Sequence, residues 1–391
     1  MDLTLFQDVV PGRLVPIERG WSAFVPDPLP IVGFRPSDEV RELLADAREA
    51  IGELRGKTNA SLLPNPGVLL RPLQRQESMR SSSLEGTFVS PEELLEFELS
   101  KGEREGAPGD VDRWREVFNY DLALQEGEAL VDRHGFSQWL IRALHQRLLG
   151  GVRGDEKSPG KYREGQVIIG TAARFIPPPG HFVPECMDAL ERYCGAPDDH
   201  LHALIRSFII HYQFETIHPF RDGNGRVGRL LLALMHARWL GLERPWLYMS
   251  GYFERHKDEY IDRLFNVSAR SEWDEWLAFC LRGVVFSARE TVERCGQLLA
   301  LKNEWEDRIH GSPSASSSRL FQLIRYLIGN PILSPTQAKD LTGIKSLSTA
   351  SRDLEELVAL GVLRGPRGVK PKSYIALEVL QIAHGINRST S

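Results

Sequence analysis

Apolar residues recur at spacings of three and four through most of this 391-residue chain, the period of helices with one buried face. Val40, Leu43, Leu44, Ala47, Ile51 and Leu54 form the first such stripe, with Ser37 placed to cap it. A second pattern begins near Gly67 and runs through Leu70, Leu73 and Met79 to Glu85, where Gly86 suits a left-handed stop. Ser90-Pro91-Glu92-Glu93 predicts a further start, with a cap, a first-turn proline and acids at the positive end. Two amphipathic helices follow between Asp110 and Gly150, and others over about 184–193, 200–216, 224–240, 252–266 and 273–308. Between them the period changes. Gln166 to Ile169 and Arg174 to Ile176 are β-prone runs around Gly170-Thr171, stopped by Pro177-Pro178-Pro179, which predicts a small exposed hairpin over 167–176. The Pro- and Gly-rich residues up to about Gly33 predict an extended arm over the body.

The run from Gly311 to Ser318 is a low-complexity linker. Beyond it the patterns predict a helix over 320–328, a short helix capped by Ser334 or Thr336 and ended by Gly343, a helix over 347–360, and two short strands at Val362-Leu363 and Tyr374-Ile375. That order predicts a winged helix-turn-helix. The fold class is therefore mainly α, with three segments: 1–109, an arm and helices; 110–310, a helical body with the hairpin; and 311–391, the linker and winged helix.

Composition narrows the function classes. The hydrophobic fraction of 42% and charged fraction of 26% are those of an ordinary soluble chain, and the net charge of −5 gives no bulk attraction to nucleic acid or an anionic membrane. The C-terminal segment departs from this: residues 312–380 hold nine Lys or Arg against five Asp or Glu. Lys345, Arg352, Arg364, Arg367, Lys370 and Lys372 fall on the expected recognition helix and wing, where phosphate contacts are expected if duplex DNA binds. Cys186, Cys194, Cys280 and Cys295 have neither CxxC spacing nor a nearby His pair, so they read as reduced thiols. No positively charged leader or spanning apolar run is evident, which points to a cytoplasmic protein with no membrane partner.

The densest chemistry lies in His218-Pro219-Phe220-Arg221-Asp222-Gly223-Asn224-Gly225-Arg226-Val227-Gly228-Arg229, which follows one helix and opens another. Two glycines at such a junction let the backbone turn tightly and present successive N–H groups, an anion-binding nest at a helix N-terminus. Arg226 and Arg229, three residues apart, share a face and can reach one polyphosphate. Asp222 can hold Mg2+ that bridges phosphate oxygens. His218 can take a proton from an attacking hydroxyl.

These residues resemble the Fic family, whose signature His-Pro-Phe-x-Asp-Gly-Asn-Gly-Arg-x-x-Arg is matched at every specified position. The resemblance spans most of residues 30–300 and implies a Fic helical bundle that transfers AMP from ATP, a protein adenylyltransferase. His218 is then the general base and Asp222 the magnesium ligand. Asn224 and the Gly223 and Gly225 backbone hold the α- and β-phosphates, and Arg226 and Arg229 the β- and γ-phosphates. Ser81 to Gly86 fits the family's N-terminal inhibitory motif, with Glu85 as the brake and Arg229 as its implied partner. The hairpin is expected to be a flap on which an extended target protein adds as a strand, presenting a Ser, Thr or Tyr hydroxyl. His256, with Tyr252 and Phe253, is expected to line the adenine pocket, at a position where many relatives carry Asn. The target is another protein or the chain itself, and a homodimer is a further expected partner state. Two rival functions also stand: removal of AMP by the same site, and a nucleotide-sensing regulator that binds DNA or protein through the winged helix.

Overall fold

A computed structural model of the chain describes residues 1–58, 66–100, 106–152, 158–196, 200–311, 317–367 and 372–385. The protein is mainly helical with two small antiparallel sheets. In chain order the elements are β1 (Gly12–Ile17), β2 (Trp21–Pro26), α1 (Asp38–Thr58), α2 (Pro66–Leu84), α3 (Pro91–Leu99), α4 (Pro108–His134) and α5 (Gln138–Leu149). They continue with α6 (Val183–Gly195), α7 (Ala203–Ile217), α8 (Asn224–Trp239), α9 (Ser250–Arg255), α10 (Lys257–Arg270) and α11 (Trp273–His310). The C-terminal elements are α12 (Ser317–Gly329), β3 (Ile332–Leu333), α13 (Pro335–Thr342), α14 (Leu347–Ala359), β4 (Arg364–Arg367), β5 (Ser373–Ile375) and α15 (Leu377–His384).

Two compact units form. The first comprises Met1–Gly52, Arg80–Thr87 and Asn119–Ala288; the second comprises Glu53–Met79, Phe88–Phe118 and Arg289–Ser391. These divisions do not coincide with the segment limits near 109 and 310 read from composition.

The first unit is built around α7 and α8, which are buried on nearly every face, as Leu204, Ile205, Phe208, Ile209, Tyr212 and Phe214 show for α7. The expected N-terminal arm is a two-stranded hairpin instead, with Leu14 opposite Phe24 and Gly20 turning at φ +73°. Pro16 and Pro26 hid the strand alternation, since proline usually argues against a strand. Phe24 joins Phe175 and Phe265 in a small apolar cluster. The hairpin expected over 167–176 is reduced to one antiparallel bridge, Ile169 to Phe175, whose N–H and carbonyl groups exchange bonds of 2.9 and 3.1 Å around a single 3-10 turn. The helix read across 252–266 is two helices. His256 breaks it with φ −117° and ψ 40°.

In the second unit Leu301 and Trp305 of α11 pack with Leu323 and Leu327 of α12 and Leu354 and Leu357 of α14. Ser334 caps α13 in a reciprocal pair with Gln337, and Gly343 ends it at φ +70°. The strands are ordered β3-β5-β4. No helix among the described residues is long and apolar enough to cross a membrane, and the four cysteines are unbridged.

Candidate active site

The turn between α7 and α8 carries the chemistry, and its shape is held from several sides. His218 ends α7 in a left-handed conformation, φ 49° and ψ 60°, which costs a non-glycine residue on the order of 1–3 kcal/mol. Arg163, buried, offsets that strain. Its guanidinium donates to the carbonyls of His218 at 2.8 Å, Ile217 at 3.2 Å and Pro178 at 2.6 Å, and its backbone N–H donates to the Pro219 carbonyl at 2.9 Å. Asn224 closes the turn on itself: its side chain accepts from the Phe220 N–H at 2.8 Å and donates to the Phe220 carbonyl at 2.9 Å. The side chain expected on phosphate is thus committed to the loop, and the backbone of Asn224 in the first turn of α8 is what it offers a ligand. Gly223 is the residue before α8, left-handed at φ 78°, and no side chain from that position caps the first turn.

His218 Nδ1 lies 3.2 Å from the Glu215 carbonyl. A carbonyl can only accept, so Nδ1 carries the proton and Nε2 keeps its lone pair. Burial pushes the imidazole down to about 4, so it is neutral near pH 7. Asp222 Oδ1 accepts from the Gly223 N–H at 2.6 Å and lies 3.4 Å from Arg226, and its side chain is 36% exposed. Among the described residues no three His, Cys, Asp or Glu side chains converge as a metal cage.

Arg229 is engaged by the last turn of α2. Its Nε donates to Ser81 Oγ at 2.9 Å, and its Nη2 donates to the Ser81 carbonyl and to Glu85 Oε1, both at 2.8 Å. Burial pushes the Glu85 carboxyl up, but Arg229 more than offsets this and holds it below the usual carboxylate range. A Cβ at Gly225 would lie 2.2 Å from Glu85 Oε1, so only glycine lets the carboxylate sit this close above the turn. Gly86 ends α2 at φ +89° as expected. That last turn is anchored elsewhere too. Glu254 on α9 accepts from Arg80 at 2.6 Å and from the Ser83 hydroxyl, and Lys257 Nζ on α10 donates to the Leu84 carbonyl at 2.7 Å.

Beside His218 opens a cavity of about 250 Å³. Ile169 and Phe175 of the bridge wall it on one side and Ile261, Leu264, Phe265 and Ser268 of α10 on another, with Glu215 and His218 also lining it. The expected base contact, His256, is not among its lining residues; its ring lies 4.6 Å from that of Tyr252. Phe253 is wholly buried and stacks on Tyr260, so it is core. The lining of α10 was missed in sequence, although 261, 264, 265 and 268 stand at helical spacing, because an apolar stripe reads as core. On the C-terminal unit Arg367 is paired with Glu92 at 2.5 Å and Glu96 at 3.2 Å, while Lys345 and Arg352 are exposed and Lys370 lies outside the described residues.

Comparison with known proteins agrees with this geometry. The Fic/DOC family matches residues 135–236, and the Fic/DOC family N-terminal region matches 41–129. A protein named "Protein adenylyltransferase Fic" from Drosophila sechellia is 33% identical over 147 residues, 37% of this chain, and so is its Drosophila melanogaster counterpart. The matched stretch is only 29% of the length of these fly relatives. Two solved structures share the fold at 22% identity. A Fic family protein from Desulfovibrio desulfuricans G20 has a TM-score of 0.55, with 88% of this chain and 98% of that one covered. Fic-1 (residues 134–508) from C. elegans has a TM-score of 0.52, with 67% and 74% covered. With both family regions matched in order and every signature residue gathered at one turn, residues 41–129 and 135–236 are the N-terminal and Fic/DOC regions of that family.

Proposed function

We propose that the chain is a nucleotidyltransferase that moves AMP from ATP onto a Ser, Thr or Tyr hydroxyl of a protein, with Glu85 as an internal brake. One observation carries this reading: a neutral imidazole with Nε2 unprotonated stands at the same turn as a glycine-opened helix N-terminus and two buried arginines. Such a turn fits displacement at the α-phosphorus of ATP. The acceptor oxygen forms a bond to that phosphorus, the bond to the β-phosphate bridging oxygen breaks, His218 takes the hydroxyl proton, and pyrophosphate leaves. The first turn of α8 and Arg226 hold the phosphates while Arg229, once released by Glu85, clamps the γ-phosphate.

The apolar cavity between the Ile169–Phe175 bridge and α10 suits the purine, so we assign base contacts to Ile261, Leu264, Phe265 and Ser268 in place of His256. Asp222, a partly exposed carboxylate at the turn, would hold a magnesium ion, which would supply neutralisation of phosphate charge. The exposure of Ile168, 49% beside the bridge, supports docking of an extended target segment there. We read the C-terminal helix–strand–helix–helix–strand–strand series as a winged helix. A purely DNA-binding regulator is the weaker reading, because Glu92 and Glu96 neutralise Arg367, a central charge of the wing.

The test is to incubate wild type, Glu85→Gly and His218→Ala with ATP and cell lysate, and to search for AMP adducts by mass spectrometry. Adducts on hydroxyl side chains with Glu85→Gly and none with His218→Ala are expected. Adducts that disappear faster with wild type than with Glu85→Gly would make AMP removal the main reaction instead.

A further inference from the structure

His145 is a buried histidine on α5 for which neither the chemistry above nor the signature has a use. It belongs to the stripe Leu140, Ile141, Leu144 and Leu148, all buried, and by pattern it reads as a core residue. Its surroundings are not those of a packing residue. The Gly160 N–H donates to Nδ1 at 2.8 Å, so Nδ1 is the acceptor and the ring proton is on Nε2. Nε2 in turn lies 3.0 Å from the carbonyl of Asp222, one residue before the glycine that opens α8. The ring stacks flat on Phe220, with centroids 3.7 Å apart and planes 4° from parallel. Gly223 is also in reach: a Cβ there would lie 3.6 Å from the His145 ring.

We propose that His145 is a positioning residue for the phosphate turn, fixing the Asp222 carbonyl from below through a tautomer that the Gly160 N–H selects. A peptide carbonyl and the N–H of the next residue belong to one rigid plane. Fixing the carbonyl of Asp222 therefore orients the N–H of Gly223 and, through it, the first turn of α8. Phe220, held by the stack, is the residue whose backbone Asn224 grips on both sides. His145 thus sets both ends of the four-residue segment 220–223, while touching no nucleotide. Misplacement of phosphate-binding groups by about 1 Å lowers rates by about a hundredfold.

This role rests on the transferase reading, so the experiment is built to separate the two. In the Glu85→Gly background three variants are compared by melting temperature, calorimetric ATP affinity and initial rate of AMP transfer. His145→Phe keeps the stacked ring and loses both polar contacts. His145→Gln can return a donor toward the Asp222 carbonyl, and His145→Asn can return only the acceptor toward Gly160. The expected result is a fall in kcat of about thirty- to a hundredfold for Phe and Asn, recovery to within about fivefold of the parent for Gln, and similar melting temperatures for all three. If Phe transfers AMP within twofold of the parent, or if Gln falls as far as Asn, His145 does not position the turn. If the Glu85→Gly parent binds no ATP and labels no protein, the transferase reading fails first and takes this role with it.

Discussion

Replacing Glu85 by Gly tests the proposed brake. The carboxylate meets Arg229 through one charge-assisted bond of 2.8 Å, and its side chain is 39% exposed whereas that of Arg229 is 3% exposed. Hydrogen bonds to charged groups contribute about 1.5–3 kcal/mol, and the partial exposure of Glu85 puts this one in the lower half, at about 2 kcal/mol. At 1.4 kcal/mol per tenfold, Arg229 is available to phosphate in about one molecule in thirty. Loss of the carboxylate should then raise the initial rate of AMP incorporation about thirtyfold at low ATP, with Arg229 still oriented by its two bonds to Ser81. Glu85→Gln keeps the size and loses the charge. A neutral bond contributes about 1 kcal/mol, so a rise of only about fivefold is expected. Initial rates with labelled ATP below half-saturation, paired with calorimetric affinities, measure both. If both variants stay within twofold of wild type, Glu85 does not restrain Arg229 and the reasoning fails.

Two further outcomes follow from the same geometry. Because burial pushes His218 down to about 4, the base is neutral throughout the working range, and kcat/KM of the Glu85→Gly form should stay flat from pH 8 to about 5 and fall only below that; a half-maximal rate near 6.5 would show an ordinary, solvated imidazole. Glu254→Gln and Lys257→Ala remove the outer anchors of the inhibitory turn, so each should raise the basal rate by about two- to fivefold and add nothing once Glu85 is gone; additive gains in the Glu85→Gly background would place these residues elsewhere in the reaction.

What could be read from the sequence was whatever is local. The signature turn was legible because glycines at a helix start and arginines three apart have consequences within one or two turns of backbone, and both arginines indeed lie buried at that turn. The helix end ahead of it was legible for the same reason: Gly86, left-handed at φ +89°, stops α2, and Glu85 stands between Leu84, the last helical residue, and that glycine. Residues whose role depends on distant partners were not. That Asn224 grips Phe220 through both of its amide atoms was not legible, because nothing in sequence shows that contact. That His256 stands at a break between two helices was not legible, because the break between α9 and α10 has no proline or glycine to announce it. The stripe on α10 and His145 on α5 both look like core, and only the fold shows which apolar face borders a cavity and which histidine meets the turn between α7 and α8.

If the proposed reaction is right, phosphorus from the α-position of ATP becomes attached to protein. Parallel incubations of Glu85→Gly with ATP labelled at the α- or the γ-phosphate, followed by denaturing electrophoresis, measure this. A band from the α-label that His218→Ala abolishes, and no band from the γ-label, is the expected result. Protein labelled from the γ-phosphate, or from neither, would contradict it.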